Sequence, residues 1–252
     1  MPVMPGAEPF FHSGGSTAVL LCHGFTGNPS SMRPWADHLA AAGLTVSLPR
    51  LPGHGTTWQE MARTRWQDWY AEVDRAYEEL RGPAGEIFVM GLSMGAALAL
   101  RLAELRGDGI AGLVLVNPSV AADTKLIMLA PVLKFVVPSL KGIGSDIKKD
   151  GAHELSYERM PVRALASLPP LWRLTRERLG DVTQPVLVYH SSADHVVGPA
   201  SMRVLRAALP PGQMTVRECG NSYHVATLDN DADEIFAGSL EFVRAHSRAG
   251  RE

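Results

Sequence analysis

Ile87-Phe88-Val89-Met90-Gly91-Leu92-Ser93-Met94-Gly95-Ala96-Ala97-Leu98-Ala99-Leu100 decides how this chain folds. Its first four residues are apolar and largely β-branched or aromatic, which suits a buried strand. Its last five are strong helix formers. Between them Gly91-Leu92-Ser93-Met94-Gly95 leaves no length for an ordinary loop, so strand must pass to helix in one sharp turn. Small residues flank the serine because a side chain there would collide with the neighbouring strand and helix. Such a turn lifts the Ser93 hydroxyl above the sheet and makes it a candidate nucleophile. The five-residue pattern alone is a modest signal; the strand running in and the helix running out make it specific.

On either side of this unit, short apolar runs alternate with helical patterns, which predicts a mainly parallel sheet with helices on both faces. Strands are expected at Thr17 to Cys22, Thr45 to Leu48, Glu86 to Met90, Gly112 to Val116, Val186 to Tyr189 and Met214 to Cys219. Helices are expected from Ser31 to Ala42 (closed by Gly43), up to Leu80, and over Met94 to Leu105, Pro199 to Ala208 and Asp231 to His246. Thr64 and Gln67 read as a capping box for the helix that reaches Leu80. Between Asn117 and Pro185 the alternation stops and no strand is expected. That stretch is rich in Leu, Val, Ile and Met, so it is not a linker. It reads as a helical insertion over residues 120–180, dividing a core made of residues 1–119 and 181–252.

The 252 residues suffice for one domain of the larger α/β kind, or a core carrying an insertion. With 46% hydrophobic and 20% charged residues, a large buried core is expected and disorder is not. Twenty-four Lys and Arg mix along the chain with 26 Asp and Glu, so there is no electrostatic footprint for nucleic acid. Cys22 and Cys219 are too far apart for a disulfide framework or a metal motif, and each lies in an expected buried strand, so both are expected to be reduced. Met1 to Gly15 lacks the basic start and apolar run of a secretory signal. Leu126 to Leu140 is the greasiest stretch, but it holds Lys134 and two prolines and is too short for a membrane span. The expectation is a cytoplasmic protein with no transmembrane segment, no nucleic-acid partner and no metal.

A serine hydroxyl is a poor nucleophile at neutral pH. It needs a base, and the base needs an orienting group. In a sheet entered through this kind of turn, acid and base follow the nucleophile in that order. Of nine histidines, His224 lies beyond Ser93 and just past a strand, through Gly220-Asn221-Ser222-Tyr223. His153 falls in the insertion, His190 at a strand end, His246 at the close of the last helix, and His195 beside the best acid but pointing away from it. That acid is Asp194, which leads off the C-terminal end of the Val186 strand, the edge where open α/β sheets bind ligands. Its plain alternative is a cap for the Pro199 helix. Asp181 precedes the strand and falls at the wrong end. Two backbone N–H groups must await the charge on a carbonyl oxygen under attack, and Met94 and Phe25 are positioned to supply them. His23-Gly24 and Gly53-His54-Gly55 read as structural, the imidazole pinning its loop and the glycines allowing the bends.

Several motifs together resemble bacterial monoacylglycerol lipases and their esterase relatives in the α/β-hydrolase superfamily. They are the Gly91 to Gly95 turn, Cys22-His23-Gly24-Phe25-Thr26-Gly27-Asn28-Pro29, Leu48 to Thr57, Gly142-Ile143-Gly144-Ser145-Asp146-Ile147-Lys148, Asp194-His195-Val196-Val197, and Asn221 to Asn230. The resemblance runs from about Val19 to His246, and the Gly142 and Asn221 stretches are its narrowest parts. It implies the α/β-hydrolase fold, a mostly parallel sheet flanked by helices, with a helical cap inserted after the sixth strand. It implies hydrolysis of carboxylic esters, foremost monoacylglycerol to glycerol and fatty acid, with no cofactor and a lipid ester, free or micellar, as partner. Ser93, Asp194 and His224 are then the triad, and Phe25 and Met94 the oxyanion donors. Ile143 would line the acyl channel and Glu154 would recognise the glycerol hydroxyls, although a lone glutamate in a helical cap is usually just solvated.

Two departures stand out. Ala96 takes the place of a frequent glycine, and residues 121–140 do not align. Leu126 to Leu129 and Val132 to Val137 are too apolar for one exposed face, so they are expected to divide between core packing and an acyl pocket or micelle contact. The same chemistry with another pocket would give a general carboxylesterase for short or medium acyl chains. A non-enzymatic relative would be expected to lack a triad residue, and a dehalogenase would need a carboxylate at Ser93.

Overall fold

The computed structural model describes residues 2–123, 125–142 and 144–247, with the side chains of Lys125 and Leu126 left out. In chain order the strands are β1 (Phe10–His12), β2 (Thr17–Cys22), β3 (Thr45–Leu48), β4 (Glu86–Leu92), β5 (Gly112–Val116), β6 (Ser139–Lys141), β7 (Arg159–Pro161), β8 (Val186–Ser191) and β9 (Met214–Cys219). The helices are α1 (Arg33–Ala41), α2 (Trp58–Met61), α3 (Trp66–Arg81), α4 (Met94–Arg106), α5 (Lys125–Leu133), α6 (Val162–Leu165), α7 (Leu168–Arg178), α8 (Ala200–Ala208) and α9 (Ala232–His246).

Seven strands form one sheet in the order β1-β3-β2-β4-β5-β8-β9. Only β1 runs antiparallel to its neighbour; the other pairs are parallel. The fold is the α/β-hydrolase fold expected from the resemblance. The central strands read as continuous apolar runs because helices cover both their faces. Val19 and Leu21 of β2 meet Trp35 and Leu39 of α1 and Ile235 and Phe236 of α9 on one side. Ala18, Leu20 and Cys22, one residue out of phase, meet Trp69 and Val73 of α3 and Leu98 and Leu102 of α4 on the other. Cys22 and Cys219 are free and buried.

The stretch between β5 and β8 departs from expectation in two ways. It follows the fifth strand of the chain rather than the sixth, because only the short β1 precedes β2 among the described residues. It is also not purely helical: β6 and β7 pair antiparallel, Ser139 opposite Pro161 and Lys141 opposite Arg159. Strands of three residues are too short to show an alternation. Its apolar residues divide between core packing and exposure. Ala130 is buried and Ile127, Leu133 and Val137 pack on the core, while Met128, Leu129, Val132, Phe135 and Val136 are exposed. The start of α3 lies one residue later than the Thr64 capping box placed it. The Asp68 carboxylate accepts from the Arg65 N–H (2.9 Å), and Thr64 Oγ1 accepts instead from Trp69 Nε1 (3.0 Å). Among the described residues no helix is long and apolar enough to cross a membrane.

Candidate active site

Ser93 sits between β4 and α4 at φ 57° and ψ −116°, a conformation costly for a residue with a side chain. Its surroundings hold it there: Ser93 N–H donates to Val116 O (2.9 Å) and Ser119 N–H donates to Ser93 O (3.2 Å). The flanking glycines are required by space. A Cβ at Gly91 would lie 2.5 Å from Ala96 N, and one at Gly95 would lie 1.9 Å from Cys22 O.

His224 follows β9 and Asp194 follows β8, so the parallel pairing of those strands brings both loops to one end of the sheet. His224 Nε2 lies 2.9 Å from Ser93 Oγ, and His224 Nδ1 lies 2.7 Å from Asp194 Oδ2. With Nδ1 carrying the proton, Nε2 is left to accept from the serine hydroxyl. The other Asp194 oxygen, Oδ1, accepts from the N–H groups of Val196 and Val197, both at 2.8 Å. Asp194 therefore closes its own turn and still spares one oxygen for His224; the N–H of Ala200 at the start of α8 goes to Asp123 instead. Burial alone would raise the Asp194 carboxyl. The hydrogen bond and charge of His224, with the two N–H groups, outweigh it and hold the carboxyl below its usual value. Asp181 is remote from this cluster and pairs with Arg178 at 2.7 Å. His195 turns from Asp194, as expected, and its Nδ1 meets Asp146 at 2.8 Å.

The N–H groups of Phe25 and Met94 find no acceptor among the described residues, and both residues line the same cavity as Ser93. The Phe25 peptide is fixed by its neighbours: Thr26 Oγ1 donates to Phe25 O (2.6 Å), and the Phe25 ring packs edge-on against Trp69 at 5.7 Å. His23 pins its loop. Its Nε2 accepts from Leu51 N–H (3.1 Å) and its Nδ1 donates to Gly24 O (3.0 Å). Burial, against the raising effect of the Gly24 bond and with help from the Arg50 charge, takes its pKa down to about 4, so it is neutral. Gly53 and Gly55 both adopt positive φ, 77° and 63°, in keeping with a tight loop around the buried His54.

Glu154 lies in an irregular stretch rather than on a helix, and it is part-buried rather than solvated. It lines the cavity with Ser93 and His224. Its N–H donates to Ser145 Oγ (2.8 Å), and its Oε1 lies so close to Gly27 that a Cβ there would be 2.6 Å away. Burial raises its carboxyl pKa to about 7, against the lowering effects of His224 and the Ser31 hydroxyl. Ile143 lies outside the described residues.

The cavity spans about 870 Å³ including its open mouth. Core loops supply Phe25, Ser93, Met94 and His224. The stretch between β5 and β8 supplies a mostly apolar wall that includes Ile127, Met160, Leu165, Leu168 and Trp172. That stretch is tied down over the β2 and β3 loops. Tyr157 OH donates to Gly53 O (2.6 Å) and accepts from Thr56 N–H (2.9 Å), and Asn28 Nδ2 donates to Leu155 O.

Sequence reasoning missed Asn117. It follows β5 at φ 44°, and its Nδ2 donates to His224 O (2.8 Å) and to Ser191 Oγ (3.0 Å). Its Oδ1 accepts from Ser191 N–H (2.8 Å). An Asn directly after an apolar strand, where left-handed backbone is tolerated, was the available signal.

The family model for serine aminopeptidase S33 matches residues 15–231. A thermostable monoacylglycerol lipase of Bacillus sp. (strain H-257) is 43% identical over 247 residues, covering 98% of each chain. A carboxylesterase of Bacillus subtilis (strain 168) is 28% identical over 237 residues, 94% of this chain and 96% of that protein. Among solved structures, one from the work on the metagenome-derived lipolytic enzymes LipS and LipT superposes with a TM-score of 0.94 at 39% identity, covering 97% of this chain and all of that one (100%).

Proposed function

The chain belongs to the serine aminopeptidase S33 family, and we propose that within it this protein is a serine hydrolase of carboxylic esters that cleaves monoacylglycerol to glycerol and fatty acid. The observation that carries this reading is the hydrogen-bonded line from Asp194 through His224 to Ser93, 2.7 and 2.9 Å long, opening on an apolar cavity. The 43% identity to a monoacylglycerol lipase over nearly the whole chain supports the substrate class.

In this reading Ser93 Oγ attacks the ester carbonyl carbon as its proton passes to His224 Nε2. Asp194 holds the imidazole in the tautomer that can accept it and stabilises the imidazolium. The oxyanion takes hydrogen bonds from the N–H groups of Phe25 and Met94. Collapse of the tetrahedral intermediate breaks the bond to glycerol oxygen, and His224 returns the proton to that leaving group. Water then attacks the acyl-enzyme by the same steps, giving up its proton to His224, and the fatty acid leaves as Ser93 recovers its hydrogen.

Glu154 accepts hydrogen bonds from the two free glycerol hydroxyls; its place in the cavity wall with Ser93 and His224 supports this role. Residues 120–180 act as a cap, a role supported by the share of the cavity wall they supply. Two buried, unpaired cysteines fit a reducing, cytoplasmic setting.

The test is a panel of mono-, di- and triacylglycerols, simple alkyl esters and an aminoacyl amide, run beside fluorophosphonate labelling. Monoacylglycerols are expected to be the best substrates and Ser93 the labelled serine. Preference for alkyl esters would favour a general carboxylesterase, the activity of the Bacillus subtilis relative. Label on another serine would end the assignment of the nucleophile.

A further inference from the structure

The two narrowest motifs of the sequence, Gly142 to Lys148 and Asn221 to Asn230, lie some eighty residues apart in the chain and meet in the fold. Asp146 Oδ2 accepts from His224 N–H (3.1 Å) and from His195 N–H (3.2 Å). Asp146 Oδ1 meets His195 Nδ1 at 2.8 Å, and Asp146 O accepts from Val225 N–H (3.1 Å). The exchange is returned from the other side. Asp229, 1% exposed, accepts through Oδ2 from Lys148 N–H (2.7 Å) and Tyr223 N–H (2.8 Å), and through Oδ1 from Lys149 N–H (2.9 Å).

One side chain thus bonds the residue that follows Asp194 and the backbone of His224 itself. We propose that Asp146 is a positioning residue, the carboxylate that keeps the acid-bearing loop and the base-bearing loop in register; this rests on the reading of Ser93, Asp194 and His224 as a triad. Asn117 holds the His224 C=O from the sheet side (2.8 Å) while Asp146 holds the His224 N–H from the insertion side, so both peptide planes of the base are fixed. The imidazole must satisfy Ser93 and Asp194 at once, and neither contact tolerates much drift. A misplacement of about 1 Å at a reacting group costs on the order of 10²-fold in rate.

Shape and charge separate the explanations. Asp146→Asn keeps the length of the side chain and one oxygen able to accept both backbone N–H groups, but loses the charge. Asp146→Glu keeps the charge and adds a methylene that pushes the loops apart. Each is measured for kcat and KM on a p-nitrophenyl ester, for the rate of fluorophosphonate labelling, and for the low-field proton resonance of the His224 Nδ1–H. Positioning predicts that Asn retains kcat within about threefold, and that Glu loses about 10- to 100-fold in kcat and labelling rate while KM stays within about threefold. The Glu variant is also expected to shift or broaden the His224 resonance, which the Asn variant keeps. If the Glu variant does not accumulate folded, Asp146→Ala is read in its place with the same expectation. A Glu variant as fast as the Asn variant overturns the proposal, and so does a loss confined to KM, which would make Asp146 a wall of the pocket. Wild-type protein that fails to label at Ser93 would remove the triad itself; normal wild-type labelling with unimpaired variants would remove only the role of Asp146.

Discussion

Under the proposed role of Glu154, Glu154→Leu is expected to separate recognition of glycerol from ester cleavage. The substitution replaces the one cavity carboxylate shifted to about 7 with an apolar side chain of similar size, so the cavity stays filled. An ionised carboxylate accepts from two hydroxyls at once, and a monoacylglycerol offers two beside its ester. A hydrogen bond to a charged acceptor contributes about 1.5–3 kcal/mol, which corresponds to roughly a 10- to 150-fold change in kcat/KM. A p-nitrophenyl ester of the same acyl length has no such hydroxyls and gains nothing from the carboxylate. The assay is parallel hydrolysis of the two substrates by wild-type and variant enzyme. Monoacylglycerol hydrolysis is expected to fall within the stated range, with p-nitrophenyl ester hydrolysis nearly unchanged. Equal loss on both would mean that the substitution disturbed the insertion or the fold. No loss on either would place the glycerol contact elsewhere and make the carboxylesterase reading the better one.

The same carboxyl predicts a pH signature: with a pKa raised to about 7 it is ionised above that pH, so the ratio of monoacylglycerol to p-nitrophenyl ester hydrolysis should decline as pH falls through about 7. A ratio flat from pH 6 to about 8 would count against glycerol recognition by Glu154. Ser93→Ala is expected to lower kcat by on the order of 10⁶ and Asp194→Asn by about 10⁴, with Asp181→Asn near wild type in the same steady-state assay. Glu104 on α4 is buried against Arg101 (2.8 Å), and burial, opposed by Arg101, raises its pKa to about 7. Its contribution to stability is therefore fully present below the unfolded-state value of about 4.3 and is lost as pH rises through about 7, on the order of 3 kcal/mol in all. Glu104→Gln should flatten the fall in Tm between pH 5 and about 8 by several degrees, and parallel Tm curves for the two proteins would refute this.

The fold and the strand-to-helix turn that holds Ser93 were legible because their constraints are local. Gly91, Ser93 and Gly95 fall within five residues, and each glycine answers a clash that the sequence pattern alone implies. Asp194 and His224 could be found because chain order and strand ends narrow the choice to a few positions. The stretch between β5 and β8 was harder. Its strands are three residues each and pair across the intervening chain, so no period marked them, and Glu154 was placed on a helix that is absent. The faces of α5 were anticipated as a division, but which residue took which face depended on contacts with α6.

What stayed hidden has one physical character. Asn117, Asp146 and Asp229 act through backbone groups, and a peptide N–H looks the same at every position in a sequence. Asn117 meets His224 across 107 positions, Asp146 meets it across 78, and Asp229 meets Lys148 across 81. Each is a polar residue in a loop, and locally each would serve equally well as a turn or a cap. The parallel pairing of β5, β8 and β9 brings their loops to one edge, and these long-range partners come within reach only in the folded chain. The two narrow motifs nonetheless carried the information jointly. Gly142 to Lys148 supplies the part-buried acceptor Asp146 and the Lys148 N–H, and Asn221 to Asn230 supplies the His224 N–H and the buried acceptor Asp229, so either motif alone would leave backbone groups unpaired near the cavity. Their coincidence in one chain is intelligible as a single requirement, that the loop bearing His224 and the stretch between β5 and β8 be built against each other.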